Sequence, residues 1–380
     1  MFLSQFNPVS VCRASGVVSS TFRLKASGSG SHSGGYHRPM RRLVLLVPLL
    51  AACAPATSTT LTFPDALASL KTPAEPTELR VLVMGDQGKG GAVQAAVAKA
   101  IAAVCAVQGC DLGLGMGDNF YPQAPASADS PVFKERFADP YGGLNVPFLM
   151  AAGNHDESWR QGGDGANPAG LDSELAYARL NPQWVMPAHF YRARWGDLAQ
   201  FFVVDTAPLA SYLPNIDPVY RPGGPFDLAQ REWLKVSLAS SSAHWNIVVG
   251  HHPLLNNGLH GSAGSYDFGL IPWGNGAPVK SMYQTAACGK ADLIAAGHDH
   301  TLQLFPAGNP VCPGTALLVS GAAGETTGPG PGRNASEFQA MNTPGFFWLD
   351  LTRARMTTRA YTVDKAGTPT LAYESVTAKP

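Results

Sequence analysis

Five short islands rich in Asp, Asn and His each follow an apolar run that stops at a glycine. They are Gly85-Asp86, Gly117-Asp118-Asn119-Phe120-Tyr121, Gly153-Asn154-His155-Asp156, Gly250-His251-His252-Pro253 and Gly297-His298-Asp299-His300. A short apolar run bounded by a turn signal reads as a buried strand. Five strands that end on oxygen and nitrogen donors constrain the fold strongly, because polar groups at the ends of buried strands need partners or water. Open α/β sheets supply the meeting place, since their sites lie outside the carboxyl ends of the strands. Between them the islands carry enough donors for two metal ions.

The intervening segments fit that plan. Runs at 79–84, 111–116 and 146–151 read as strands, with helices expected over 92–106 and 131–137. This β-turn-α alternation predicts parallel strands. Beyond residue 189, runs at 189–195, 200–205, 245–249, 293–296, 302–305, 317–320, 346–351 and 359–363 read as strands. One further helix is expected over 228–240, and this second half is expected to be mostly antiparallel. The count predicts an α/β fold, a four-layer α/β/β/α sandwich of two mixed sheets. Gly/Pro-rich loops at 157–172, 208–225 and 256–279 are expected above the strand ends, where they would shape a mouth.

Net charge over the 380 residues is zero, which gives no support for nucleic-acid binding. Residues 1–52 hold six basic and no acidic residues, leaving 21 of the 27 basic groups against all 27 acidic ones in the remainder. The first fifty residues contain two different patterns. Residues 1–39 are Ser/Gly-rich and aperiodic, reading as disordered or as an upstream mis-assigned start. Met40 then opens Arg41-Arg42, an apolar run from Leu43 to Leu50, and Leu50-Ala51-Ala52-Cys53. Basic, apolar and small-residue regions in that order make a secretory signal over 40–52, and the run is too short to span a bilayer. Leu-Ala-Ala-Cys resembles the lipobox of bacterial lipoproteins, whose cysteine is acylated; an ordinary signal with Cys53 incidental is the other reading. The expected layout is then a tether over 53–76, a catalytic domain over 77–366 and a C-terminal extension over 367–380. Localisation follows as extracytoplasmic, in a bacterial cell envelope, with membrane contact through the N-terminal lipid only.

With Cys12 and Cys53 set aside, four cysteines remain in an oxidising compartment. Proximity favours Cys105–Cys110 and Cys288–Cys312, although four cysteines allow three pairings. No Cys-x-x-Cys occurs to suggest a zinc cluster.

Hydrolysis of a phosphate ester is slow because an anionic nucleophile must approach an anionic phosphoryl group. Two metals roughly 3.5–4 Å apart neutralise oxygens and acidify water, and a carboxylate bridge holds them that close. Asp118 can be that bridge. Asp86, Tyr121 and His300 can complete one site, and Asn154, His251 and His298 the other. A carboxylate and a phenolate suit ferric iron, while Asn and imidazole suit a divalent ion. Singly, each island is an ordinary turn. His298 and His300 would share one face if they lay on a strand. His189 and His244 read as structural or exposed, His252 as a neighbour of a ligand, and Asp156 as a residue that orients His155 or a metal-bound group.

The five islands, in this order, resemble the five motifs of the calcineurin-like metallophosphoesterase superfamily. Tyr121, three residues after Asp118, is similar to the purple acid phosphatases of the small, tartrate-resistant type. The resemblance covers about residues 79–365. It implies Fe(III) at Asp86, Asp118, Tyr121 and His300, and a second ion (Fe, Zn or Mn) at Asp118, Asn154, His251 and His298. It also implies that His155 and His260 face the phosphate and leaving group, and that a hydroxide generated between the metals attacks phosphorus. Gln87 and His252 stand where these phosphatases usually show an aromatic residue and Tyr, and Lys89-Gly90-Gly91 lengthens the first loop; all three bear on substrate preference. The expected activity is phosphomonoester hydrolysis by an acid phosphatase. The alternatives are a phosphodiesterase on the same core and a surface binding protein without catalysis. Physiological substrate and oligomeric state are not encoded in these motifs.

Overall fold

The computed structural model describes residue 63 and residues 65–379, except 160, 161, 271 and 272, and for Phe268 the backbone alone. The expected signal at 40–52, Cys53 and the segment before Met40 lie outside the described residues.

Among the described residues, fifteen strands build two sheets. They are β1 (Leu67–Ala68), β2 (Glu78–Met84), β3 (Leu112–Met116), β4 (Phe148–Ala151), β5 (Trp184–Val185), β6 (Tyr191–Trp195), β7 (Ala199–Val203), β8 (Trp245–Val249), β9 (Leu293–Ala296), β10 (Leu302–Phe305), β11 (Ala316–Ser320), β12 (Phe338–Ala340), β13 (Gly345–Thr352), β14 (Arg355–Val363) and β15 (Pro369–Ala378). The first sheet has the order β15-β14-β13-β2-β3-β4-β5 and the second β1-β6-β7-β8-β9-β11-β10-β12. In the first, β2, β3, β4 and β5 are parallel, and β13, β14 and β15 add antiparallel strands. In the second, β7, β8, β9 and β11 are parallel. The expectation of a mostly antiparallel second half holds, through β6–β7, β10–β11, β10–β12, β13–β14 and β14–β15, while a parallel core runs through the middle of the second sheet. Its hairpins lie at β6–β7 and β10–β11–β12, around a parallel middle whose crossovers the sequence periodicity did not reveal.

Side-chain alternation defines the layers. Phe201, Val203, Ile247, Val249, Leu293 and Ala295 join the large cluster that includes β2, β3, β4 and β13. Their neighbours Phe202, Val248 and Ile294 face a second cluster with Leu234, Leu238, Val279 and Met282. Successive strand residues point to opposite faces, so each of these strands serves both cores. Helix α1 (Gly91–Gln108) covers the first sheet through Val97, Ile101 and Val104, a spacing of four and three that makes one helical face. Each such buried side chain contributes about 1.5–3 kcal/mol. Helix α2 (Pro225–Ala239) starts three residues before the expected position because Pro225 occupies its first turn, where a missing N–H is harmless.

Two expected boundaries move. Residues 67–68 pair with Arg192 and Ala193, and Phe63 packs on Phe190 and Phe226, so the end of the expected tether belongs to the second sheet. Residues 369–378 are no appended tail: they form the edge strand β15 along the whole of β14. Seven of its ten residues are exposed and none is buried, which made that strand look polar in sequence.

The disulfides are Cys105–Cys110 and Cys288–Cys312. The second closes a 24-residue separation that contains β9, the strand leading to His298. Changing both Cys288 and Cys312 to Ser should lower the unfolding free energy by about 3 kcal/mol for a loop of this length. Urea unfolding measures it; a loss below about 1 kcal/mol would show that the segment is braced by packing alone.

Candidate metal centre

The five islands follow β2, β3, β4, β8 and β9, the inner parallel strands of the two sheets, and their loops meet. The two sheets are stitched there by Ser320 Oγ donating to Val83 O at 3.0 Å and by His298 N–H donating to Asp86 Oδ2 at 2.8 Å. Asp86, Asp118 and His298 have φ of 58°, 52° and 67°, the left-handed region that non-glycine residues rarely enter. Strain of order 1–2 kcal/mol at each is tolerated to aim a donor inward. His298 and His300 therefore lie on a turn and not on a strand, so their side chains converge through loop geometry. Glycine is needed for the same closeness. A Cβ on Gly153 would stand 2.1 Å from the Asp118 nitrogen, and one on Gly117 (φ 82°) would stand 2.7 Å from His251 Nδ1.

All seven expected donors come together. The Tyr121 hydroxyl lies 2.9 Å from Asp118 Oδ2, 3.1 Å from Asp86 Oδ1 and 3.3 Å from His300 Nε2. Asn154 Oδ1 lies 2.9 Å from His251 Nε2 and 3.0 Å from His298 Nδ1, which are themselves 3.3 Å apart. Asp118 Oδ1 is 3.4 Å from His251 Nε2. Asp118 thus turns one oxygen to each group of donors.

The chemistry of these donors fits cations. His251 Nδ1 sits 2.8 Å from the Met116 carbonyl and carries the hydrogen, which leaves a lone pair on Nε2. Asn154 Nδ2 donates to Gly163 O at 2.8 Å, so its carbonyl oxygen points at that lone pair. On the other side, one phenolic hydrogen faces three acceptors. Electron-rich atoms gathered this way are favourable only around positive charge, and the donor set of oxygens and imidazoles suits transition ions. Burial opposes ionisation of Asp118, but the imidazoles of His251 and His155 and the His155 N–H hold its pKa at about 2. Burial, with the Asp118 and Asp86 carboxylates, pushes the Tyr121 phenol well above its ordinary range, so a phenolate there requires a nearby cation.

His155 and His260 flank this group. His155 Nδ1 is 2.7 Å from Pro122 O and its ring centroid is 4.2 Å from that of Tyr121, and Nε2 makes no hydrogen bond among the described residues. The His260 ring centroid is 4.6 Å from His298 and 6.1 Å from His300. Its Nδ1 meets Asp267 Oδ1 at 3.0 Å, and the Tyr212 hydroxyl donates to the other oxygen of Asp267. Burial works against charge on His260, yet Asp267 and Asp299 leave its pKa raised. The Tyr212–Asp267–His260 chain escaped sequence reading because its members lie on two separate loops with no motif.

Three other residues act differently from expectation. Asp156 does not orient the His155 side chain; it accepts from the N–H groups of Gly153 (2.8 Å), Asn119 (3.1 Å) and Phe120 (3.1 Å), tying the Asp118 and Asn154 loops together. Burial and the Asp118 charge push its pKa to about 7. His252 is buried behind His298, with Nδ1 2.8 Å from Thr206 Oγ1, and Gln87 is buried with Nε2 2.9 Å from Asn119 Oδ1. Lys89 does reach the rim, 5.0 Å over the Tyr121 ring and 2.8 Å from Glu325.

A centre of this kind between two sheets defines a class of metal-dependent hydrolases. The chain belongs to the calcineurin-like phosphoesterase family, whose sequence profile matches residues 79–302. It is similar to tartrate-resistant acid phosphatase type 5 of Rattus norvegicus, 27% identical over 299 residues, covering 73% of this chain and 77% of the relative. Purple acid phosphatase 4 of Arabidopsis thaliana is 28% identical over 234 residues, which are 58% of this chain and 62% of that one. Among solved structures, GAP50, the anchor in the inner membrane complex of Plasmodium, superposes with a TM-score of 0.61 at 21% identity over 80% of this chain and 90% of its own. A purple acid phosphatase from yellow lupin (Lupinus luteus) gives 0.57 at 18% identity, over 80% and 55%. At these identities the structural likeness is one of fold. The chain is a phosphoesterase, a hydrolase related to the purple acid phosphatases.

Proposed function

We propose that this phosphoesterase is an acid phosphatase acting on phosphomonoesters, with a ferric ion and a divalent partner (iron, zinc or manganese) in its centre. The observation that carries this reading is the Tyr121 hydroxyl lying among Asp86, Asp118 and His300, in a chain whose relatives bear the names tartrate-resistant and purple acid phosphatase. Asp86, Tyr121 and His300 would hold the ferric ion, and Asn154, His251 and His298 the divalent one, with Asp118 shared. When bound, such a pair supplies positive charge to phosphoryl oxygens and lowers the pKa of water toward neutrality.

The chain's own side chains do the rest. His260, fixed through Nδ1 on Asp267, presents Nε2 away from that carboxylate in a charge-favouring setting. It can offset phosphate charge or hand a proton to the leaving alkoxide. His155, fixed through Nδ1 on Pro122 O, presents Nε2 for the same purpose. Lys89 adds a cation at the rim, suited to the dianion of a monoester. Residues 40–53 support a further reading: Met40 as the start, Cys53 as an acylated N-terminus, and the enzyme as a cell-envelope lipoprotein.

Protein loaded with iron and a divalent ion should hydrolyse p-nitrophenyl phosphate and show a visible charge-transfer band that Tyr121→Phe removes. Asp118→Asn should lose at least one metal together with turnover. Colourless, iron-free protein of full activity would remove the ferric assignment, and turnover of diesters alone would change the substrate class.

His260 is charged below its raised pKa and neutral above it, so activity that needs the charge falls as pH rises through that value. Asp267→Asn removes the group that raises it and should move the alkaline limb of kcat to lower pH with metal content intact. His260→Ala should lower kcat by about 10²–10⁴-fold. An unshifted pH profile with lost metal would make Asp267 a structural residue only.

Mass spectrometry of the native N-terminal peptide should find diacylglyceryl-cysteine at Cys53, and Cys53→Ser should release the protein from membranes. An unmodified terminus upstream of Cys53 would overturn the envelope localisation.

A further inference from the structure

Outside the centre just described, one other group of metal-ligating side chains lies together among the described residues, its two carboxylates buried and its histidine half-buried. Glu157 lies three residues beyond Asn154, His189 just before β6, and Asp205 just after β7. Their donor atoms all lie within 4.8 Å of one another. His189 Nδ1 is 2.9 Å from Asp205 Oδ2 and 3.1 Å from Glu157 Oε1. We propose that Glu157, His189 and Asp205 form a third metal site, for a single divalent transition ion such as zinc, independent of the phosphatase reading.

The number of hydrogens comes first. Glu157 and Asp205 are completely buried, and among the described residues neither oxygen of Glu157 is met by a well-aligned hydrogen bond, His189 Nδ1 lying closer to Asp205 Oδ2. A single imidazole N–H at Nδ1 cannot serve both carboxylates at once. Asp205 Oδ1 is satisfied separately by the Ala207 N–H at 3.1 Å. What remains is Nδ1, Asp205 Oδ2 and both oxygens of Glu157, four donor atoms of the kinds that complete a zinc shell.

Charge balance admits the same occupant. Two buried carboxylates and one imidazole, among the rings of Tyr220 and Phe226 at 5.9 and 5.6 Å from His189, reach neutrality either around a divalent ion or with protons on both His189 and Glu157. Isolated buried charge is strongly unfavourable. A divalent ion with neutral imidazole makes the group neutral. Burial and the Asp205 charge push the Glu157 pKa well up, so in the absence of a cation this carboxyl is held as the neutral acid. The dinuclear centre has the matching signature of facing electron-rich atoms, such as His251 Nε2 and Asn154 Oδ1 at 2.9 Å.

The surroundings hold the donors in place. Gln230 clamps the Asp205 backbone twice, accepting from its N–H and donating to its carbonyl, both at 2.8 Å. Glu157 is tied by its N–H to Gly153 O (3.3 Å) and through its carbonyl to the Asn167 N–H (2.8 Å). An ion here would fasten the loop carrying Asn154 and His155 to the second sheet.

The competing occupants are protons, which would make His189 an imidazolium and Glu157 a neutral acid. Zinc alone, added to the full chain by equilibrium dialysis and counted by mass spectrometry, separates the two. Wild type should hold three ions per chain, Glu157→Gln and His189→Gln two, and Asp118→Asn/His251→Ala should keep one. Zinc should raise Tm of that double variant and lose the effect when Glu157→Gln is added. Circular dichroism checks folding, and Glu157→Gln, equal in shape, carries the test if His189→Gln does not fold. Equal zinc counts in wild type and Glu157→Gln, or a His189 imidazolium signal in NMR that zinc leaves unchanged, would overturn the site. Loss of colour or turnover in the Tyr121 and Asp118 variants bears on the dinuclear centre alone.

Discussion

Asp118 gives one oxygen to each half of the centre, Oδ2 to the Tyr121 hydroxyl at 2.9 Å and Oδ1 toward His251 Nε2 at 3.4 Å. A carboxylate can do this only if its backbone is turned away from regular strand geometry and held there. The φ of 52° at Asp118, the close approach of Gly153 to its nitrogen and the Asp156 carboxylate on the next two N–H groups supply that hold. The two sheets must then end at the same height, which Ser320 on Val83 and His298 on Asp86 enforce. Strain in the turns and negative charge in the middle are thus consequences of one demand, that two groups of donors share one side chain.

The donors were legible in sequence because each follows a buried strand at its carboxyl end, where local pattern and position coincide. All seven could be named without knowing how the sheets are paired. What pattern could not give was anything that depends on two distant loops meeting. His189 looked like an ordinary histidine before a strand, yet two buried carboxylates from other loops converge on it. Asp267 carried no motif because its partners are Tyr212 and His260. Gln87 and His252, read as departures that bear on substrate, turn out to be buried packing partners of Asn119 and Thr206. Strand β15 failed for another reason: an edge strand with one solvated face has too few apolar residues to stand out.

The long loops expected above the strand ends are held to one another by polar cross-links. The Tyr212 N–H donates to Asp164 O at 2.9 Å, the Tyr212 hydroxyl donates to Asp267, and Trp273 Nε1 donates to Tyr212 O at 3.0 Å. One residue, Tyr212, therefore connects the 157–172, 208–225 and 256–279 loops. Asp299 completes the arrangement from between the two histidines that flank it in sequence, accepting from Asn256 Nδ2 (2.7 Å) and the His260 N–H (2.9 Å). The loop that carries His260 is anchored both at the metal donors and at the rim.

Such anchoring has a consequence for how the site discriminates among esters. The phosphate end is surrounded by groups fixed by two or more contacts each, whereas Trp159, Leu213, Ile216, Leu259, Leu270 and Trp273 on the same three loops keep large apolar surface exposed. A rigid polar floor fixes the phosphoryl group whatever it is attached to. The leaving group, by contrast, would meet loop residues whose backbones are tied; the Trp159 and Trp273 indoles are held as well, donating to Ala166 O (2.8 Å) and Tyr212 O (3.0 Å), while the aliphatic side chains are free to adapt. Substrates should therefore differ more in the affinity contributed by the alcohol portion than in the chemistry at phosphorus, since only the former contacts groups that are not held in common.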